Sequence, residues 1–142
     1  NKYILLTDTE HLRLVMHQAK RILGDRVSVV VADDENVRFI IEKAEENSAG
    51  YVLSVYMENK TDRNVMFSWD KVSVNGFMIE PFWATSVNAG KKACSEVTFF
   101  RSDLEEQGIE TVSEIEFTLT AYDYDSFDGE TVLEQQFTYN PN

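Results

Sequence analysis

Ile115-Glu-Phe-Thr-Leu-Thr-Ala121 alternates without a break. Ile115, Phe117, Leu119 and Ala121 are apolar, while Glu114, Glu116, Thr118 and Thr120 are polar. A period of two sends successive side chains to opposite faces of an extended chain, so the stretch predicts a strand with one face in a core and one in water. Working outward, the same period returns. Val97 and Phe99 sit between Glu96 and Thr98, and Leu133, Phe137 and Tyr139 close the chain. Upstream, Val65, Phe67 and Trp69 make one short strand, and Tyr51, Leu53, Val55 and Met57 alternate less cleanly with Ser54 and Glu58. Val37, Phe39 and Ile41 alternate with Arg38 and Glu42, and residues 27–31 are a β-branched run. Asp33-Asp-Glu-Asn36 reads as a turn. Val72 and Val74 lead into Asn75-Gly76, a hairpin signal because both residues tolerate positive φ, with residues 77–79 as the return strand. Seven or more short strands, most with no helix between them, argue against a parallel α/β sheet and predict an all-β sandwich of two antiparallel sheets over residues 27–142.

Two segments carry helical signals instead. Thr7-Asp-Thr-Glu10 has the T-x-x-E capping pattern, and Leu12, Val15, Met16, Ala19, Ile22 and Leu23 then recur at threes and fours, with Gly24 as a stop. This predicts a helix over residues 9–23 within an amphipathic N-terminal extension, residues 1–26. Its apolar stripe is costly to leave in water and is expected to dock on protein, either this chain or a second copy. A membrane surface is the rival partner. Ser102-Asp-Leu-Glu105 is a second capping box and Gly108 suits the position past a helix end, predicting a turn or two of helix over residues 102–107, capped by Ser102, on a crossover between strands.

Charge narrows the function classes. The chain has 142 residues and a formal net charge of −12. Phosphate recognition gains affinity from Lys and Arg, so nucleic acid and bare anionic lipid are disfavoured partners. The acidity is uneven: residues 1–26 carry five bases against three acids, and the remainder carries eight bases against 22 acids. Cys94 is the only cysteine, so there is no intrachain disulfide. At this length a core can form without one, and the domain is expected to fold without metal or cofactor.

Glu58-Asn-Lys-Thr61, Val72-Ser-Val-Asn-Gly76, Ala89-Gly-Lys-Lys92, Ser102-Asp-Leu, Gly108-Ile109 and Glu114-Ile-Glu-Phe117 form an ordered series. The series, covering residues 29–139, resembles a group of immunoglobulin-like domains from Gram-positive bacteria. These occur in predicted lipoproteins or outside a single membrane span, sometimes in proteins with a cytoplasmic zinc ribbon. The resemblance implies an immunoglobulin-like antiparallel β-sandwich. It also implies an extracellular, cell-envelope address, held at the membrane through an anchor upstream of this fragment. It brings no activity and no catalytic residues.

Candidate sites are few. His11 and His17 are six apart, on opposite faces of the predicted helix, and make no metal pair. Cys94 lies between Ala93 and Ser95, and strict alternation with Val97 points it away from the main core. Glu114 and Glu116 share the polar face of a strand and read as a solvated sheet face, not an acid/base pair, which would need a cleft. Asp123, Asp125 and Asp128, with Glu134 eleven residues after Asp123, are hard oxygen donors spaced partly like a calcium loop. The glycine is one place late, Phe127 occupies a ligand position and strands flank the loop, so the stretch reads as a polar hairpin tip holding at most a weak, millimolar calcium ion. Phe82 and Trp83, after Pro81, are the aromatic pair placed to stand exposed, as binding residues or a sugar platform; packing between the sheets is the other reading. Asn59-Lys-Thr61 is formally a glycosylation sequon. The expectation is therefore a non-catalytic envelope domain, not an enzyme. It would bind a protein or peptide partner, with a carbohydrate-binding module as the alternative.

Overall fold

The alternating stretches become strands, and their apolar faces meet. The computed structural model describes residues 25–125 and 129–141. In chain order these form β1 (Asp25–Asp33), β2 (Val37–Asn47), β3 (Gly50–Asn59), β4 (Val65–Val74), β5 (Phe77–Met78), β6 (Ala84–Val87), β7 (Lys92–Phe100), α1 (Arg101–Glu106), β8 (Ile115–Asp123) and β9 (Thr131–Tyr139). The predicted helix over residues 9–23 lies outside the described residues. One sheet has the order β1-β2-β3-β7; the other has the order β5-β4-β8-β9, with β6 on the same edge of β4 as β5. Every pairing is antiparallel. The chain passes between the sheets three times, from β3 to β4, back from β6 to β7, and again from β7 through α1 to β8.

Aromatic rings from both sheets fill the space between them. Phe39 of β2 lies 6.1 Å from Phe67 and 6.3 Å from Trp69 of β4 (ring centroids), and Trp69 lies 6.5 Å from Phe99 of β7. Trp69 stacks on Phe117 of β8, centroids 3.7 Å apart and planes 8° from parallel. Non-polar area removed from water contributes roughly 25 cal/mol per Å², and large rings supply most of it in a core of this size.

Departures from strict alternation have local causes. Val65, Phe67 and Trp69 were expected to form a strand separate from Val72 and Val74, but both sets belong to β4. A bulge between Asp70 and Ser73, with Lys71 at φ 52°, inserts a residue and moves the core-facing parity from odd to even numbers. A bulge between Ile41 and Lys43 does the same in β2, so that Ile41 and Ala44 both face inward. Shifts on either side of Val29 and Val30 explain why residues 27–31 show no period: Val30 is exposed and Val31 buried.

The Asn75-Gly76 turn is as expected, a two-residue loop with φ 53° and 85° and Val74 facing Phe77. Asn75 does more than turn the chain. Its Oδ1 accepts from the backbone of Ser113 (2.9 Å) and Glu114 (3.1 Å), tying the hairpin to the start of β8. The short helix is present but Ser102 is not its cap. The helix starts at Arg101 after Phe100, with no side chain capping it. The Arg101 N–H instead donates to the Ala49 carbonyl (2.8 Å), and its guanidinium reaches the Asn47 carbonyl (2.7 Å) and Glu46 (3.2 Å). This draws Arg101 into the first turn and moves Ser102 one place inside. The far end closes as a Schellman motif: Ile109 N–H donates to Leu104 (2.9 Å), Gly108 N–H donates to Glu105 (3.0 Å), and Ile109 and Leu104 are both buried.

Asn59 locks the crossing from β3 to β4. It is 1% exposed, and its Nδ2 donates to the carbonyls of Arg63 (2.7 Å) and Val87 (2.9 Å). Its Oδ1 accepts from the N–H (2.9 Å) and hydroxyl (2.7 Å) of Thr61. The sequon is thus a buried structural clip. Asn59→Ala would leave the Val87 carbonyl and Thr61 N–H without these bonds, and a loss of about 2–3 kcal/mol is expected in urea denaturation. Asn59→Asp should cost more, since it points a carboxylate oxygen at two carbonyls. Equal stability of wild type and Asn59→Ala would refute the clip.

Candidate docking surface

After β5 the chain runs along the open edge of β4, and consecutive residues face alternately in and out. Ile79, Pro81 and Trp83 are buried, while Glu80 and Phe82 are exposed. The expected aromatic pair is therefore divided. Trp83 packs edge-on against Trp69 (5.9 Å) and Phe39 (6.0 Å), and its indole N–H donates to the Ser95 hydroxyl (3.0 Å). It is a core residue, as the reading of packing between the sheets has it, and the expectation of Trp83 as an exposed binding residue is corrected, because only alternate residues of 79–83 face outward. Phe82 is 88% exposed and has φ 50°. The Glu80 carboxylate accepts from the Phe82 N–H (3.0 Å), fixing the turn that holds the ring out.

Phe82 does not stand alone. Met78 is 86% exposed and Phe77 46%. Met78, Ile79 and Phe82 line one side of a shallow groove of about 160 Å³, and α1 with Gln107 closes the other. Three carboxylates, of Glu80, Asp103 and Glu106, border it. The surface combines protruding apolar side chains with an acidic margin. Sequence reasoning singled out Phe82 but missed Met78 and Phe77. The available signal was Phe77-Met-Ile79, three apolar residues in a row on a strand that can bury only one face.

The aspartates lie at the opposite end of the sandwich. Asp123 is 4% exposed, with Arg63 Nη1 at 3.4 Å from its Oδ2. Its Oδ1 accepts from the Asp125 N–H (3.0 Å). The Asp125 carboxylate accepts from Asn64 Nδ2 (2.6 Å), and Arg63 also bridges to Glu130 at 2.7 Å. Hydrogen bonding to Glu130, followed by its charge, holds the Arg63 guanidinium above its ordinary pKa. These groups pin the connection between β3 and β4 to the tip of β8. Glu134 faces Thr120, three residues back along β8 and so roughly 10 Å from the tip. Asp128 lies outside the described residues. Among the described residues, no cluster of three His, Cys, Asp or Glu side chains is arranged to hold a metal ion.

Cys94 is exposed on edge strand β7, as alternation predicts. Glu116 accepts from Gln136 (3.4 Å) on the outer face of the second sheet. His11 and His17 lie outside the described residues. No described helix is long and apolar enough to cross a membrane. No protein-family model matches the chain, and no curated protein is significantly similar to it in sequence.

Proposed function

We propose that this domain is a non-catalytic, immunoglobulin-like binding module of the cell envelope, and that it holds a protein or peptide partner on the surface around Phe82. Strand order supports the immunoglobulin-like reading: β2, β3 and β7 share one sheet, β4, β8 and β9 the other, and the chain crosses between the sheets at β3–β4 and at β7–β8 as well as at β6–β7. The extracytoplasmic address rests on the resemblance of residues 29–139. Protease accessibility on intact cells tests it, and full protection of an intact, expressed chain would refute it.

The observation that carries the binding reading is the conformation of Phe82. A left-handed backbone costs an L-residue about 1–2 kcal/mol, and a bulky side chain is seldom found there. Burial normally offsets such a cost, but at 88% exposure Phe82 gains almost none among the described residues. A residue that strains the fold and buries nothing finds its use in an encounter. Exposed aromatic rings and flexible methionines are the side chains that dominate binding surfaces. A glycan platform has weaker support, because Trp83 is committed to the core.

Phe82→Gly separates the two roles. Thermal or urea melts should show stability changed by no more than about 1 kcal/mol in either direction, since glycine adopts positive φ freely. Peptides selected from a random display library against the full chain should bind this variant at least about tenfold more weakly than wild type, the scale of an aromatic hot spot. Undiminished peptide binding would overturn the proposal. So would a selection that yields no peptide alongside glycan-array binding lost in Phe82→Gly; that result would establish the carbohydrate module instead.

A further inference from the structure

We infer that residues 9–23 of this same chain are the resting occupant of the Met78–Phe82 groove, an inference that rests on reading that surface as a docking site. Three observations converge. The first is charge. Residues 1–26 are the one segment with an excess of bases, including Arg13, Lys20 and Arg21 within the stretch concerned, and the groove is bordered by Glu80, Asp103 and Glu106. Opposite charges at the rim favour this pairing over any with the acidic remainder of the chain.

The second is apolar match. Leu12, Val15, Met16 and Ile22 recur at helical spacing, so a helix would gather them on one face. A stripe of that kind needs cover, and Met78 and Phe82 are the two most exposed large apolar residues among those described. Leu12, Val15 and Met16, at the end of the segment farthest from β1, are matched to them.

The third is reach. Asp25 opposes Ala44, Ala44 opposes Leu53, and Leu53 opposes Val97, so the first residue of β1 sits at the end of the sandwich that carries α1. From β1 to β7 is three strand spacings, roughly 15 Å. Fifteen residues of helix span roughly 22 Å, enough to cross that end and lay Leu12 to Met16 on the groove. Only Gly24 intervenes between the segment and β1, which keeps the local concentration of the segment high. An outside partner must then displace residues 9–23, so the two binding events are mutually exclusive.

The test uses the full chain with a nitroxide attached at Gln18→Cys in a Cys94→Ser background. Gln18 is off the apolar stripe, and Cys94 is exposed, so neither change disturbs a core contact. Paramagnetic broadening of the amide signals of Met78, Glu80, Phe82 and Glu106 is expected, independent of dilution. Adding Leu12→Asp and Val15→Asp should abolish the broadening and raise affinity for library-selected peptides several-fold. Broadening confined to other residues, or none at all, would overturn the inference. Broadening transferred to an isotope-labelled second copy in a mixed sample would show a dimer contact and overturn it too. So would flotation with phosphatidylglycerol vesicles in place of broadening. Peptide binding that still depends on Phe82 while broadening is absent would leave the binding function intact and remove only the internal occupant.

Discussion

Gly50→Ala is expected to lower stability by at least about 3 kcal/mol, measured as a shift in the urea midpoint, although it adds a single methyl group. Gly50 opens β3 with φ 142° and faces Phe100 of β7 in the ladder. A β-carbon built there would lie 2.0 Å from the Phe99 carbonyl oxygen and 2.8 Å from the Arg101 nitrogen. Both are backbone atoms, so no side chain can swing aside, and the Arg101 N–H bond to Ala49 breaks when the strands part. Backbone strain of about 1–3 kcal/mol combines with an overpacking cost of similar size. Gly76→Ala is the control. Its β-carbon would meet nothing within 4 Å, so only the conformational penalty of about 1–2 kcal/mol remains. Equal losses for the two variants would refute the close approach of β3 to β7.

Trp69→Ala should cost about 3–5 kcal/mol, and Trp69→Phe far less. The Trp69 ring is 4% exposed and bridges the sheets, touching Phe39, Trp83, Phe99 and Phe117. Truncation removes the stack on Phe117 and leaves a cavity where the layers meet. Phenylalanine keeps most of that contact. It also removes an indole N–H that is buried without a hydrogen-bond partner among the described residues, which recovers part of the lost packing. Circular dichroism is the suitable readout, because the substitutions change the fluorophore itself. If Trp69→Phe and Trp69→Ala fall together, the N–H has a partner and the ring is held by it.

The sequence declared its strands where one face meets the core and the other meets water. Ile115, Phe117, Leu119 and Ala121 are all buried as alternation requires, and the Asn75-Gly76 hairpin forms where turn chemistry places it. Bulges erased the signal elsewhere, because one inserted residue at Lys71 moves the rest of the strand to the opposite parity. Ser102 was misjudged as a cap because the competing bonds of Arg101 come from Glu46, Asn47 and Ala49, more than fifty residues away, and short-range patterns carry no trace of them. Phe82 and Trp83 illustrate the same limit at the candidate site. Composition marked both rings, but only the three-dimensional course of residues 79–83 decides which one reaches solvent. Asn59 showed in the sequence only as part of a formal sequon, and its structural role depends on the Val87 carbonyl 28 residues downstream.

The placement of the two outer strands has a mechanical consequence. Asp25 begins β1 opposite Ala44, and Tyr139 ends β9 opposite Ile115, which itself faces Val74. Because β3 and β4 are joined by the short 60–64 connection at the other end, both points lie at the α1 end, with β1 packed near β9. A load applied between Asp25 and Tyr139 would peel β1 from β2 and β9 from β8 one rung at a time, without shearing a whole ladder at once. The domain would yield to low force and extend under tension as a compliant link. Hung from a single attachment it would bear no load at all, and the tip formed by residues 33–37, 60–64 and 88–91 would point farthest from whatever holds it.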